Sequence, residues 1–162
     1  MKLNISKFKQ DFTNEEKQTN KEAFTKLAAQ LEDIIKSRDF AIHLQESLEK
    51  AFSRSNEVEY EITLDVTPHG DSVEFASKFF INFSTSICLD SAFVDIPTKY
   101  YTVPPLGWEE YLRKINDIFV LELLRDNEGI QARASRGPKL MNETTAKEGI
   151  LYYNIIGKIM LT

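Results

Sequence analysis

A strict alternation of apolar and polar residues over residues 57–66 constrains the fold of this chain more than any other feature. The apolar positions are Val58, Tyr60, Ile62, Leu64 and Val66. Because successive side chains of a strand point to opposite faces, this pattern predicts a strand with one buried face. Turn residues over 67–72 and a second alternating run over 73–83 then predict an antiparallel hairpin.

The register of this hairpin is predicted from the pairing of its apolar positions. If paired residue numbers sum to 139, Val66 faces Val73, and apolar side chains meet apolar ones along the buried face. On the other face, Glu61 then lies opposite Lys78. A sum of 138 or 140 places apolar residues against polar ones at every step.

The region before the hairpin has the pattern of an amphipathic helix. Apolar residues recur at helical spacing over 24–35 and again over 41–52, with an interruption at 37–39. The pattern predicts one helix of about 60 Å, at 1.5 Å per residue, or two helices hinged at the interruption. Such a helix lies on the sheet of its own domain, or it projects because a small domain cannot bury the whole stripe. The second alternative predicts contact with a partner or with a second copy.

Apolar side chains of the amino-terminal region are the predicted partner-binding residues. Residues 1–13 are interpreted as a flexible amino-terminal arm, and residues 14–54 as a helical arm. The predicted contact residues are Phe8, Phe12, Leu27, Leu31, Ile34 and Ile35.

The rest of the chain, residues 55–162, is predicted to form an α+β core. A short edge strand is expected within 91–103, since Pro97 has no N–H to donate to an inner ladder. A core helix is expected from Gly107 to about residue 125, followed by a buried strand at the carboxyl terminus. The predicted order of elements is therefore α-β-β-β-α-β.

A long polar connection, residues 126–149, is predicted to be a mobile loop of the core. It contains the only local cluster of cationic residues, which is the predicted site for a phosphate or an acidic partner surface. The cluster consists of Arg133, Arg136 and Lys139.

Composition excludes several classes of protein. The net charge of −5 does not suit nucleic acid, which makes nucleic-acid binding unlikely as a function. One cysteine and two histidines leave no internal disulfide and no standard structural zinc site, and neither a metal nor a cofactor is predicted. No apolar run approaches the roughly 20 residues that span a bilayer, and we expect a reducing cytoplasmic location.

Motifs of catalysis are missing from the sequence. The predicted element order matches the core of restriction-type nucleases, but the only Glu-x-Lys, at residues 15–17, falls on the predicted helix rather than on a strand. Cys88 is interpreted as a buried thiol and His69 as a turn residue. The four carboxylates of the first strand, Glu57, Glu59, Glu61 and Asp65, are interpreted as a solvated outer face, since they do not converge.

These observations predict a non-catalytic protein-binding or assembly subunit that forms a homo- or hetero-oligomer. The order of elements resembles that of phage tail-completion proteins and, with further carboxy-terminal elements, that of acidic secretion chaperones. Both classes are small oligomeric assembly proteins, and the resemblance concerns element order alone. The alternatives are a nucleic-acid-processing enzyme and a ligand-binding regulatory subunit, with a site built from dispersed residues.

Overall fold

Three helices and one antiparallel sheet form the fold, which the computed structural model describes over residues 12–81, 85–86, 92–100, 105–125, 127–140 and 151–162. The helices are α1 (Asn14–Ile35), α2 (Arg38–Phe52) and α3 (Trp108–Arg125). The strands are β1 (Glu57–His69), β2 (Ser72–Ile81), β3 (Thr85–Ser86), β4 (Ala92–Pro97), β5 (Ile130–Leu140) and β6 (Leu151–Leu161). The predicted α+β class is confirmed.

The sheet is five strands wide. One edge of β2 is paired with β1, and β3 and β4 both pair with its other edge. The order across the sheet is β3 and β4, then β2, β1, β6 and β5. The predictions of a short edge strand within residues 91–103 and of an interior carboxy-terminal strand are both confirmed.

The amino-terminal region forms two helices, so the hinged alternative of the prediction is correct. α1 begins after Thr13, whose side chain accepts a hydrogen bond from the Glu16 amide at 3.1 Å. Ser37 separates α1 from α2, because its hydroxyl accepts from the Phe40 amide at 3.2 Å and donates to the Ile34 carbonyl at 2.6 Å. One serine thus caps the start of α2 and satisfies a carbonyl at the end of α1.

The hairpin register differs from the prediction by two residues. Paired residue numbers sum to 141, so that Val66 faces Phe75. β1 continues to His69, and the turn consists of Gly70 and Asp71, with Gly70 at a φ of 54°. Alternation defines only on which face a residue lies, and a shift of two residues preserves the faces. Lys78 therefore lies opposite Thr63 rather than Glu61.

All three helices contribute to one core on the face of the sheet that carries the apolar residues of β1. Leu27 and Leu31 are 0% exposed and Ile35 is 2% exposed. The prediction that the stripe of α1 projects from the domain is therefore wrong. The break at Ser37 divides the region into helices of 22 and 15 residues, which are short enough to lie along the sheet.

Buried polar groups on this helix-covered face are paired across elements. The Tyr60 hydroxyl donates to Asn116 Oδ1 at 2.6 Å, and burial raises the pKa of Tyr60 to about 12, so the phenol keeps its proton. The hydroxyls of Ser77 and Tyr111 lie 2.6 Å apart. Gly157 lies beneath the Tyr60 ring, where a Cβ atom would overlap that ring.

The prediction of a loop over residues 126–149 is wrong for residues 130–140, which form β5 on the free side of β6. The strand is polar and has irregularities in its pairing between Ala134 and Arg136 and between Arg136 and Lys139. An edge strand with bulges and few apolar residues lacks the alternation that would reveal it in a sequence. Residues 141–149 of the predicted loop lie outside the described residues.

Candidate functional site

A groove of about 820 Å³ lies between the amino-terminal half of α1 and the first two turns of α3. α1 contributes residues of a single face, from Lys17 to Ala28, and α3 contributes residues up to Lys114. Phe12, Pro105, Leu106 and Gly107 complete the described lining. The volume falls within the range of sites that hold ligands or peptide segments.

The floor of the groove is aromatic and continuous with the core. The Phe24 ring stacks on Phe75 at 5.0 Å and on Tyr111 at 5.1 Å between ring centroids. Trp108 packs against Tyr153 at 4.5 Å. Because these rings are held by neighbours on the sheet, the floor is preformed rather than assembled by a ligand.

One polar side chain in the groove wall has an unused hydrogen-bond acceptor. Asn20 is 1% exposed, and its Nδ2 donates to the Glu16 carbonyl at 2.8 Å and to the Tyr100 carbonyl at 3.3 Å. Since both neighbours of Nδ2 are acceptors, they fix the orientation of the amide. Within the described parts of the chain, Asn20 Oδ1 has no hydrogen-bond partner. A buried acceptor without a partner costs about 1–3 kcal/mol, which a donor on a ligand would recover.

Charged residues form the rim of the groove. On α1 the rim carries Lys17 and Lys21, and on α3 it carries Glu109, Glu110 and Lys114. All five side chains are exposed. No histidine or cysteine belongs to the described lining.

The predicted partner-binding residues divide into three groups. Leu27, Leu31 and Ile35 lie in the core and are not available to a partner, which corrects the prediction for these three. Ile34 is partly buried against the same core, and Phe12 lines the groove. Phe8, which was the sixth, lies outside the described residues. The sequence did not reveal the groove, because its two walls lie some 80 residues apart in the chain.

The face of the sheet opposite the helices carries the predicted anion-binding cluster. Three residues of β5, each three positions from the next, pair with alternate residues of β6, whose side chains lie on this face. The two irregularities in β5 make this spacing possible. The pairs are Arg133 with Lys158, Arg136 with Ile156 and Lys139 with Asn154. Arg133 and Arg136 are exposed. Anion binding by the cluster stays a prediction.

The carboxylates of β1 also lie on the face of the sheet opposite the helices, and the prediction that all four are solvated is wrong. Glu61 is 4% exposed and Asp65 is 8% exposed. Asn154 Nδ2 donates to Glu61 at 2.8 Å, and Lys78 Nζ lies 3.5 Å from Asp65. Burial raises the pKa of Asp65, and the Lys78 ammonium partly offsets this effect.

The remaining candidates do not form a site in the described parts of the chain. His69 is exposed in the hairpin and lies 3.2 Å from Glu74, and Cys88 lies outside the described residues. The Glu-x-Lys of residues 15–17 is on α1. No group of three or more histidine, cysteine or acidic side chains suited to a metal ion occurs within the described ranges.

Among the described helices, none combines the length and the apolar character needed to cross a membrane. Compared with protein-family models and with curated proteins, the sequence matches none. The fold and the groove therefore carry the functional argument.

Proposed function

We propose that this protein is a non-catalytic protein-binding subunit of a larger assembly, and that it holds a polypeptide segment of its partner in the groove between α1 and α3. The observation that carries the proposal is the buried Asn20 Oδ1, to which the described residues donate no hydrogen bond, in the wall of a preformed groove. A polypeptide supplies both an N–H donor for this oxygen and apolar side chains that can pack on the aromatic floor.

The shape of the groove also supports a polypeptide occupant. The lining of α1 from Lys17 to Ala28 extends over about 16 Å at 1.5 Å per residue. About five residues of extended chain cover this length at 3.3 Å each. A preformed aromatic floor lowers the entropy lost on binding, since few side chains of the protein need to be ordered.

Variants that fill the groove test the proposal. Thr25 lines the groove on α1 and is exposed, whereas its neighbour Lys26 is exposed and not part of the lining. We expect Thr25→Trp to weaken binding of the native partner about tenfold or more, equivalent to 1.4 kcal/mol, and Lys26→Trp to leave binding unchanged. Affinity purification of the tagged variants from native extract, followed by size-exclusion chromatography with light scattering, measures the loss.

Both variants are expected to unfold at the temperature of the wild type, because neither residue is buried. Equal retention of the partner by Thr25→Trp and Lys26→Trp contradicts the proposed site. A wild-type chain that elutes alone from native extract at its monomer mass of 18.7 kDa contradicts the proposed function.

A further inference from the structure

The lysines on the α1 rim of the groove have no partners of opposite charge among the described residues. Neither Lys17 nor Lys21 makes an ion pair with any residue that the structure describes. Lys17 lies in the first turn of α1, where the partial positive charge of the helix terminus disfavours a cation, whereas Glu109 and Glu110 lie in the first turn of α3, where the same effect favours them. With Lys114, the rim carries three lysines against two glutamates, so its formal charge is positive in a chain of net charge −5.

The spacing of these lysines fits an extended chain. Lys17 and Lys21 are one helical turn apart, which is about 6 Å along the axis. Every second residue of an extended chain lies on the same side, about 6.8 Å apart. Two acidic side chains in alternate positions of a bound segment thus reach both lysines, while the residue between them points away from the α1 rim.

The amino-terminal segment of this chain is a poor occupant of the groove on grounds of charge. Residues 1–11 contain Lys2, Lys7 and Lys9 against a single acidic residue, Asp11. Such a segment would bring three further ammonium groups to the lysines of the rim. Charge complementarity favours a foreign segment of opposite sign.

We infer that the segment bound in the groove is extended and acidic, with carboxylates in alternate positions facing Lys17 and Lys21 and a backbone N–H donated to Asn20 Oδ1. This inference rests on the proposed function and names the class of partner. Asn20 acts as the residue that selects a polypeptide, since a purely apolar ligand such as an acyl chain would leave its oxygen without a partner.

Matched synthetic peptides test the inference. The probes are capped seven-residue peptides in which Asp alternates with Leu, and the same peptides with Lys in place of Asp. Trp108, the only tryptophan, lines the groove, and its fluorescence reports occupancy. We expect the acidic peptide to bind at least about tenfold more tightly than the basic one, and the difference to shrink as salt is added.

Charge reversal on the protein provides the matched control. Lys21→Glu is expected to weaken binding of the acidic peptide about tenfold, and Lys26→Glu to have little effect, because Lys26 lies outside the groove lining. Equal affinities for the acidic and basic peptides, tighter binding of the basic one, or an equal response of the two variants overturns the inference.

The hydrogen bond to Asn20 is tested on the peptide, which leaves the fold unchanged. N-methylation of the backbone amides of the acidic peptide is expected to weaken binding to the wild type and to have a smaller effect on Asn20→Leu. The same loss in both proteins contradicts the role of Asn20 Oδ1. If Thr25→Trp releases the native partner while the acidic peptide shows no preference, the proposed function stands and the acidic partner class is wrong.

Discussion

Two regions of this molecule contain a buried side-chain oxygen for which the described residues supply no hydrogen-bond partner, and the two regions differ in their surroundings. In the first region, Asn20 Oδ1 lies in the wall of a groove of about 820 Å³. In the second, on the face of the sheet opposite the helices, the atom is Asn154 Oδ1. Asn154 does not line the groove.

The difference shows when an unsatisfied polar group indicates a binding site. Both regions carry a cost of about 1–3 kcal/mol for each such atom. Asn20 lines the groove, from which a bound segment can supply the missing donor, and Asn154 does not. We therefore expect changes around Asn20 to alter partner binding, and changes at Thr63, which pairs with Asn154 in the sheet, to alter stability alone.

The largest effect is expected where α1 leaves the groove and enters the core. Leu31→Asp places a carboxylate at a position that is 0% exposed, and we expect a loss of about 4 kcal/mol or more in the free energy of unfolding. Urea denaturation measures it. Lys21→Glu, on the exposed rim of the same helix, is the control and is expected to change stability by less than about 0.5 kcal/mol. A folded Leu31→Asp variant that has lost only its partner would restore the interpretation of α1 as a projecting arm.

A smaller effect is expected on the face of the sheet opposite the helices. Thr63→Val keeps the shape of a side chain that is 3% exposed and removes a hydroxyl whose hydrogen bond helps to hold down the pKa of the buried Asp65 carboxyl. We expect the variant to be less stable by about 1 kcal/mol near neutral pH, because the carboxylate loses a donor, and to bind the native partner with unchanged affinity. Thermal unfolding and the affinity purification described above measure the two quantities. Weakened partner binding by this variant breaks the distinction between the two regions.

The smallest effect is a dependence of stability on pH that arises from Asp65. Burial holds the pKa of its carboxyl above the ordinary value of 3.8, so the folded state binds a proton more readily than the unfolded state. The contribution of Asp65 is therefore fully present below pH 3.8 and is lost as the pH rises through the folded-state pKa. Relative to Asp65→Asn, the wild type is expected to lose stability as the pH rises from about 4 toward neutrality. A stability difference that is independent of pH, or that changes in the other direction, contradicts this assignment.

The sequence predicted those parts of the fold that depend on local periodicity. The strand over 57–66, the helix from Trp108 and the interruption at Ser37 each appear in the structure, because burial on one face imposes a period that a sequence displays. β5 was missed, since an edge strand with bulges shows no such period. The hairpin offset was wrong by two residues, since alternation defines the face of a residue and not its partner.

The candidate site was largely beyond sequence analysis. The predicted partner-binding residues Leu27 and Leu31 are in fact buried in the core. The length of an apolar stripe does not show where a helix ends and the chain turns back onto its sheet. Asn20 gave no signal, since a single asparagine among polar helix residues is ordinary until its burial is known. Of the five predicted contact residues that the structure describes, Phe12 is the one that lines the groove.

Photo-crosslinking of the native complex tests most directly whether the groove holds the partner. A photoreactive phenylalanine derivative is placed at position 25, inside the groove, or at position 26, outside it, and the complex is irradiated in native extract. The account predicts a covalent adduct between position 25 and a polypeptide of the partner, and little or none from position 26. An adduct from position 26 alone, or equal adducts from both positions, would contradict the account.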